Sequence, residues 1–196
     1  MGGVPDTPGT AAPAATAGRR MLIDWFSPLF PARSDIAHFT ARLLPALAAR
    51  ADVRLWTDQT DYDRNLARYA QIIPYDPHRL DVRILNRADL VIYNMGNDAR
   101  FHGNIREALF RVPGVLIAHE LSYHHSIEWD YVSRRADRGG YLSLVERCYG
   151  ASARQEAESY LMSGRPTLDD LARQYPFIDL LADAALAVVC HTQAVE

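Results

Sequence analysis

The sequence predicts an α/β fold, a parallel β-sheet flanked by helices, and three observations carry that prediction. Short apolar runs of strand length alternate with segments whose apolar residues recur every three or four positions, the pattern from which parallel sheets with helical crossovers are built. Two of the runs, Ala88–Tyr93 and Val115–Ala118, empty polar groups onto what would be the carboxyl edge of the sheet, where ligands bind in open α/β folds. At 196 residues, 48% hydrophobic and 23% charged, the chain is long enough for one domain with a real core and too short for two large ones.

Met1–Arg19 is made of Gly, Pro, Ala and Thr with almost no large apolar side chain, so it lacks the apolar segment of a secretory signal and is expected to be a disordered tail. Residues 20–196 are then the folded domain. Arg20–Pro28 reads as a first strand and its exit, closed by the loop Pro28–Ser34. Ile36, Phe39, Leu43, Leu44 and Leu47 mark a helix behind an N-cap at Ser34 or Asp35, with a kink or early end expected at Pro45. Asp52–Thr57 alternates apolar and polar residues and is the second strand. In Tyr62–Arg87, Leu66, Tyr69 and Ala70 suit a short helix, and Pro74 and Pro77 predict irregular chain after it. The next strand has its core at Asp89–Tyr93, flanked by Val82, Leu85, Ala88 and Leu90, and Gly103–Arg111 is a crossover helix ended by Pro113.

Pro113-Gly114 makes a turn into the apolar run Val115–Ala118, which delivers His119 and Glu120 to its carboxyl end. Leu121–Tyr175 holds no convincing strand and should be mostly helical. Leu142, Val145, Cys148 and Tyr149 share a face, Gly139-Gly140, Gly150 and Gly164–Pro166 mark joints, and Thr167-Leu-Asp-Asp170 has the form of a capping box. Phe177–Asp183 continues as helix toward a last strand, Ala185–Cys190, which ends in His191-Thr192. The sequence reaches Glu196 where a new helix would begin, as if cut from something longer.

Composition excludes several classes. A net charge of -3 gives no footprint for nucleic acid. Cys148 and Cys190 lack metal spacing and a chain this size needs no disulfide staple, so a reducing cytoplasm and buried thiols are expected. No apolar run approaches the ~18 residues of a spanning helix. Neither a Gly-x-Gly-x-x-Gly dinucleotide loop nor a Gly-x-Ser-x-Gly elbow is present. In His119-Glu-Leu-Ser-Tyr-His-His125 the first two histidines are five apart rather than four, about 140° around a helix at ~100° per residue, which argues against a zinc pair.

Four segments resemble the N-terminal, acceptor-side domain of retaining nucleotide-sugar glycosyltransferases of the two-domain GT-B architecture, the group containing bacterial α-glycosyl and mannosyl transferases. Phe26–Phe39 is similar to that family's first loop and helix, Pro-x-x-Ser-Gly-Ile-Ala-x-Tyr. Asn94-Met-Gly-Asn97 with Phe101-His102 is similar to its Gly-Asn and Phe-His segment. Pro113–Glu120 is similar to its Pro-Gly-Val-Val-x-x-His-Asp, and Ala187–Thr192 to its strand ending in Val-x-His-Ser. The likeness spans residues 20–196 in the family's order. Asp35 stands where the family has glycine, adding a Cβ and a charge where backbone approaches the donor diphosphate. No counterpart of the second domain, which in the family binds the nucleotide sugar, is expected within residues 20–196.

The resemblance implies a Rossmann-like sheet forming one half of a GT-B fold, and the acceptor-binding half of an enzyme moving a sugar from a nucleoside diphosphate sugar to a hydroxyl. It implies no resident cofactor, the nucleotide sugar being a co-substrate, and no metal. The half is expected to be inactive without its donor domain. His119 is the matched catalytic-cleft histidine, and Glu120 would orient it or bind an acceptor hydroxyl. Asn97 and His102 would line the acceptor pocket, and Arg33 and Ser34 would bind phosphate at a helix N-terminus. Each has a plainer reading: a strand-end histidine satisfied by backbone, a solvated glutamate, a Gly-Asn turn, a helix cap. A different class also fits, a non-catalytic α/β module using the same edge for a small ligand or a protein. Residues 121–175 are open between a membrane-surface helix pair, an acceptor lid and ordinary packing, with Arg134, Arg135 and Arg138 read as a solvated face.

Overall fold

A computed structural model of the chain describes residues 19–191; the expected tail, Arg19 apart, and Thr192–Glu196 lie outside the described residues. Six strands, β1 (Leu22–Phe26), β2 (Asp52–Thr57), β3 (Gln71–Pro74), β4 (Leu90–Met95), β5 (Val115–Ala118) and β6 (Ala187–Cys190), form one sheet in the order β3-β2-β1-β4-β5-β6. Every neighbouring pair is parallel. This is the doubly wound, Rossmann-like order, in which the chain builds outward from β1 to β3 and then returns to the other side of β1. The strand order reverses between β1 and β4, and in such sheets ligands bind outside the carboxyl edge.

Eight α-helices accompany the strands among the described residues: α1 (Asp35–Ala48), α2 (Val82–Leu85), α3 (Ala99–Arg111), α4 (His124–Glu128), α5 (Arg138–Tyr149), α6 (Ala151–Ser163), α7 (Leu168–Gln174) and α8 (Ile178–Ala184). They cover the sheet unequally. Successive strand residues point to opposite faces. Phe26, Trp56, Tyr93 and Leu116 bury one face beneath a thick helical layer that includes Leu109, Ile127, Tyr141, Val145 and Leu181. Trp25, Leu55, Ile92 and Ile117 bury the other against Leu44 of α1 in a smaller cluster.

Asp24 is fully buried in the middle of β1 and is held by its strand neighbours. It accepts bonds from Arg54 Nε and Nη2 at 2.5 and 2.6 Å and from Trp56 Nε1 at 2.7 Å, while Arg54 also donates to the Ile84 carbonyl at 2.9 Å. A charge so placed is tolerated because its lone pairs are filled by an opposite charge and a neutral donor. Asp24 is a framework residue.

Several expectations need correcting. Helix α1 runs through Pro45 to Ala48 rather than ending at it, behind Ser34, whose Oγ accepts from Ile36 N–H. The stretch expected to be irregular contains β3, four residues at the sheet edge ending in Pro74, where a missing N–H costs no ladder bond. The helix expected before it is a 3₁₀ turn, Arg64–Arg68. Val82 and Leu85, expected to flank a strand, belong to α2 instead. Cys148 is exposed and Cys190 half-buried, so neither is the fully buried thiol expected. The Gly139-Gly140 joint lies inside the first turn of α5, whereas Gly150 and Gly164, at φ 89 and 72, do separate helices. Gly114 is required: a Cβ there would collide with the Val91 carbonyl oxygen and stand 2.8 Å from the Tyr93 ring.

Candidate functional site

At the carboxyl ends of β4, β5 and β6 lies a cleft of about 420 Å³ lined by Asn97, His119, Glu120, Leu121, Ser122, His125 and His191, with Ala118 behind them. Strand alternation and register place these groups together. Asn94, one residue before the end of β4, pairs with Ile117 of β5, and Ala118 pairs with Cys190 of β6, so His119 and His191 leave their strands side by side. Their ring centroids are 4.5 Å apart, and Phe39 of α1 meets both edge-on, at 5.0 and 5.1 Å.

His119 is held by Asn94 rather than by Glu120. The His119 backbone N–H donates to the Met95 carbonyl at 3.0 Å, and its Nε2 lies 3.4 Å from Asn94 Oδ1. Asn94 is fully buried and donates through Nδ2 to the Phe26 carbonyl at 3.0 Å, which fixes its amide with Oδ1 toward the imidazole. His119 therefore carries its proton on Nε2, leaving Nδ1 as the acceptor. Burial, reinforced by His191 and His102, pushes its pKa down to about 4, so at neutral pH it is an uncharged hydrogen-bonding group. Glu120 is exposed on the rim.

Asn97 joins the cleft to the helical layer. Its Oδ1 accepts from the Ser126 N–H at 3.0 Å in the first turn of α4, and its Nδ2 lies 3.4 Å from His125 Nδ1. His125 Nε2 in turn lies 2.8 Å from Asp169 Oδ1 at the start of α7. The Asp169 carboxylate orients the His125 ring with Nε2–H outward, so that Nδ1 can accept from the Asn97 amide. A second recess of about 440 Å³, lined by Leu121, Ser122, His125, Asp169, Ala172, Arg173 and Pro176, continues the trench beyond this chain of bonds.

His102 stands behind the cleft rather than in it. It is 2% exposed, its Nδ1 donates to the Asp98 carbonyl at 3.1 Å one turn back, and its Nε2 has no hydrogen-bond partner among the described residues. The ring packs under Gly96, where a Cβ would come within 3.0 Å of it and 2.7 Å of Ile36. Burial lowers its pKa as well. Arg33 and Ser34 are not brought to the cleft: Ser34 is spent as the cap of α1, and Arg33 is exposed at the same helix end.

Of the sequence-selected residues, His119, Glu120 and Asn97 converge, His102 backs them, and Arg33 and Ser34 lie apart. Asn94, His125, Asp169 and His191 complete the site without having been selected. Only His191 carried a usable signal, a histidine directly after an apolar strand, as His119 is. Among the described residues no group of three or more His, Cys, Asp or Glu side chains is arranged to hold a metal ion, and no helix is long and apolar enough to cross a membrane. No protein-family model, no curated protein and no solved structure matches this chain.

Proposed function

We propose that this chain is the acceptor-binding half of a retaining nucleotide-sugar glycosyltransferase, a GT-B half whose donor is held mainly by a second domain. One observation supports the reading above others. Four segments far apart in sequence, each similar to a segment of that family, meet at one point: Phe39 from the first, Asn94 and Asn97 from the second, His119 from the third and His191 from the fourth. Parallel strands bring their ends to one edge in any such sheet; what supports the reading is which side chains those ends carry, two histidines and two asparagines at the positions the likeness picks out.

The chemistry of the cleft suits a hydroxyl-bearing acceptor. The neutral His119 imidazole, the Asn97 amide and the Ser122 hydroxyl can donate to and accept from sugar hydroxyls without the cost of burying a charge. Glu120, on the rim, is the carboxylate nearest in sequence to His119 for an acceptor hydroxyl. A retaining transfer of this kind stabilises an oxocarbenium-like sugar and a departing diphosphate chiefly by positioning and charge. In this reading the acceptor half contributes the positioning. Asp35, exposed in the first turn of α1, already places a carboxylate where an anion would otherwise bind, which favours a diphosphate seat on the donor domain.

The test is an NMR-monitored titration of the protein with methyl glycosides and inositols, beside UDP-, GDP- and ADP-sugars, repeated with His119→Ala. The expected result is that a hydroxyl-rich acceptor analogue shifts the resonances of Asn97, His119 and His191, that His119→Ala weakens this binding at least tenfold, and that no nucleotide sugar binds. Joined to a donor-binding domain, the protein should then transfer sugar. If no glycoside or polyol touches these residues, the reading fails and a binding module for some other ligand takes its place.

A further inference from the structure

Residues of α3, α4, α5 and α8 line a separate, half-open cavity of about 590 Å³ that shares no residue with the cleft. Its walls are Phe110, Ile127, Tyr131, Leu144 and Leu180, and its charged groups are Arg106, Glu107, Arg135, Arg147 and Asp183. That volume and that mixture, apolar walls with a few convergent polar groups, are those of a small-molecule site.

The charges are arranged by an unusual piece of backbone. Trp129–Arg134 is a π-helical turn, and its continuation closes with Arg135 N–H donating to the Asp130 carbonyl, five residues back. In an α-helix residues five apart point about 140° from one another; the wider turn brings Arg135 back over Asp130, beside Arg134. Ala136, at φ 52, ends the turn in the left-handed region, a strained conformation for a residue with a Cβ. Three guanidinium groups therefore close on one fully buried carboxylate. Arg106 Nη2 and Arg135 Nη2 lie 2.5 and 2.8 Å from Asp130 Oδ2, and Arg134 Nε also bonds Asp130. Glu107 takes second contacts from Arg135 at 2.5 Å and Arg134 at 3.4 Å.

Three cations facing two carboxylates leave one positive charge in surplus. Two of the three cations, Arg106, which is 3% exposed, and Arg135, border the cavity. At the rim, Arg147 and Asp183 offset one another and make no hydrogen bond or ion pair among the described residues. A surplus guanidinium beside an apolar cavity favours an anion, and the walls favour an apolar body.

We propose that this cavity binds a small amphipathic anion, a carboxylate, sulfonate or phosphate on a flat apolar body. The acidic group meets Arg106 and Arg135, and the body lies between Phe110, Leu144 and Leu180. The site is independent of the carboxyl-edge cleft and of the reading given to it.

The experiment is calorimetric titration with 2-naphthoate, its uncharged counterpart 2-naphthol and inorganic phosphate at neutral pH. One naphthoate should bind per chain, with 2-naphthol and phosphate at least tenfold weaker. Arg135→Gln leaves two guanidinium groups facing two carboxylates, so it should fold, lose the preference for naphthoate and leave 2-naphthol binding unchanged. Asp183→Asn should tighten naphthoate, and Leu180→Trp should exclude both ligands. Thermal unfolding followed by circular dichroism checks each variant's fold, and Asp183→Asn, at an exposed position, keeps the charge test available should Arg135→Gln unfold. Equal binding of naphthoate and naphthol overturns the proposal. So does an unchanged preference in a folded Arg135→Gln, or no binding of either compound.

Discussion

His124 should make this protein lose stability well above the pH at which carboxylates titrate. The side chain is fully buried, its Nδ1 lies 2.7 Å from the Tyr175 carbonyl and its Nε2 2.6 Å from the Tyr141 hydroxyl. A carbonyl only accepts, so Nδ1 carries the proton and the tyrosine donates to Nε2; a second ring proton would break that arrangement. Burial pushes the imidazole to about 4 against the ordinary 6.5. Above pH 6.5 the ring is neutral in folded and unfolded chains, and the stability it supports is fully present. As pH falls from 6.5 toward 4, the unfolded chain takes up a proton that the folded one refuses, so stability is lost. At 1.36 kcal/mol per pH unit, the 1.5 units down to pH 5 cost roughly 2 kcal/mol. The assay is urea unfolding of the native protein and His124→Gln between pH 7.5 and 5. The variant should be less stable at pH 7.5 by roughly 1–3 kcal/mol, for two buried polar partners left poorly matched. That gap should then shrink by about 2 kcal/mol at pH 5, because only the native protein carries this penalty. His119 adds a similar slope, but it is present in both proteins and cancels. A gap that stays constant, or widens, refutes the neutral buried histidine.

Asp24→Asn should cost about 3–5 kcal/mol in urea unfolding, because it strands the largely buried Arg54 without its counter-charge. The pair replacement Asp24→Leu with Arg54→Met should recover most of that loss. Thr167→Ala removes one half of the capping box, in which Thr167 Oγ1 accepts from the Asp170 N–H and Asp170 accepts from the Thr167 N–H. Its cost should be about 1 kcal/mol, read from the urea midpoint at unchanged slope.

The framework was legible where pattern is local. β2 and β5 fall on Asp52–Thr57 and Val115–Ala118 as their alternation and turn residues indicated, and the Thr167 cap forms as its spacing required. The errors cluster where tertiary contact decides. Gln71–Pro74 has too few residues and a terminal proline, and it becomes a strand only because β2 offers a free edge to pair with. Pro45 failed to end α1 because its ring sits on an exposed side of the helix, while Leu44 beside it is 1% exposed and anchors the turn to the sheet. Arg134, Arg135 and Arg138 are exposed, as a solvated face requires, but nothing in their neighbourhood announces that Asp130 is buried, nor that the helix widens there to bring Arg134 and Arg135 to it.

The site followed a different logic. His119 could be selected because strand ends are visible in sequence and parallel strands all deliver their ends to one edge. The groups that set its chemistry could not be selected. Asn94 is an interior strand residue, and its role depends on β4 and β5 being neighbours with Asn94 in register with Ile117. His125 depends on Asn97 and Asp169, 28 and 44 residues away. Each of these contacts is long-range. For His119, burial leaves the ring uncharged, and Asn94 fixes which of its nitrogens holds the proton. A sequence reading can thus name the residue standing at a reactive edge, while its protonation state belongs to the fold. For His119 that distinction decides the chemistry, since an imidazolium at this position would attract a diphosphate and the neutral ring is suited to a hydroxyl.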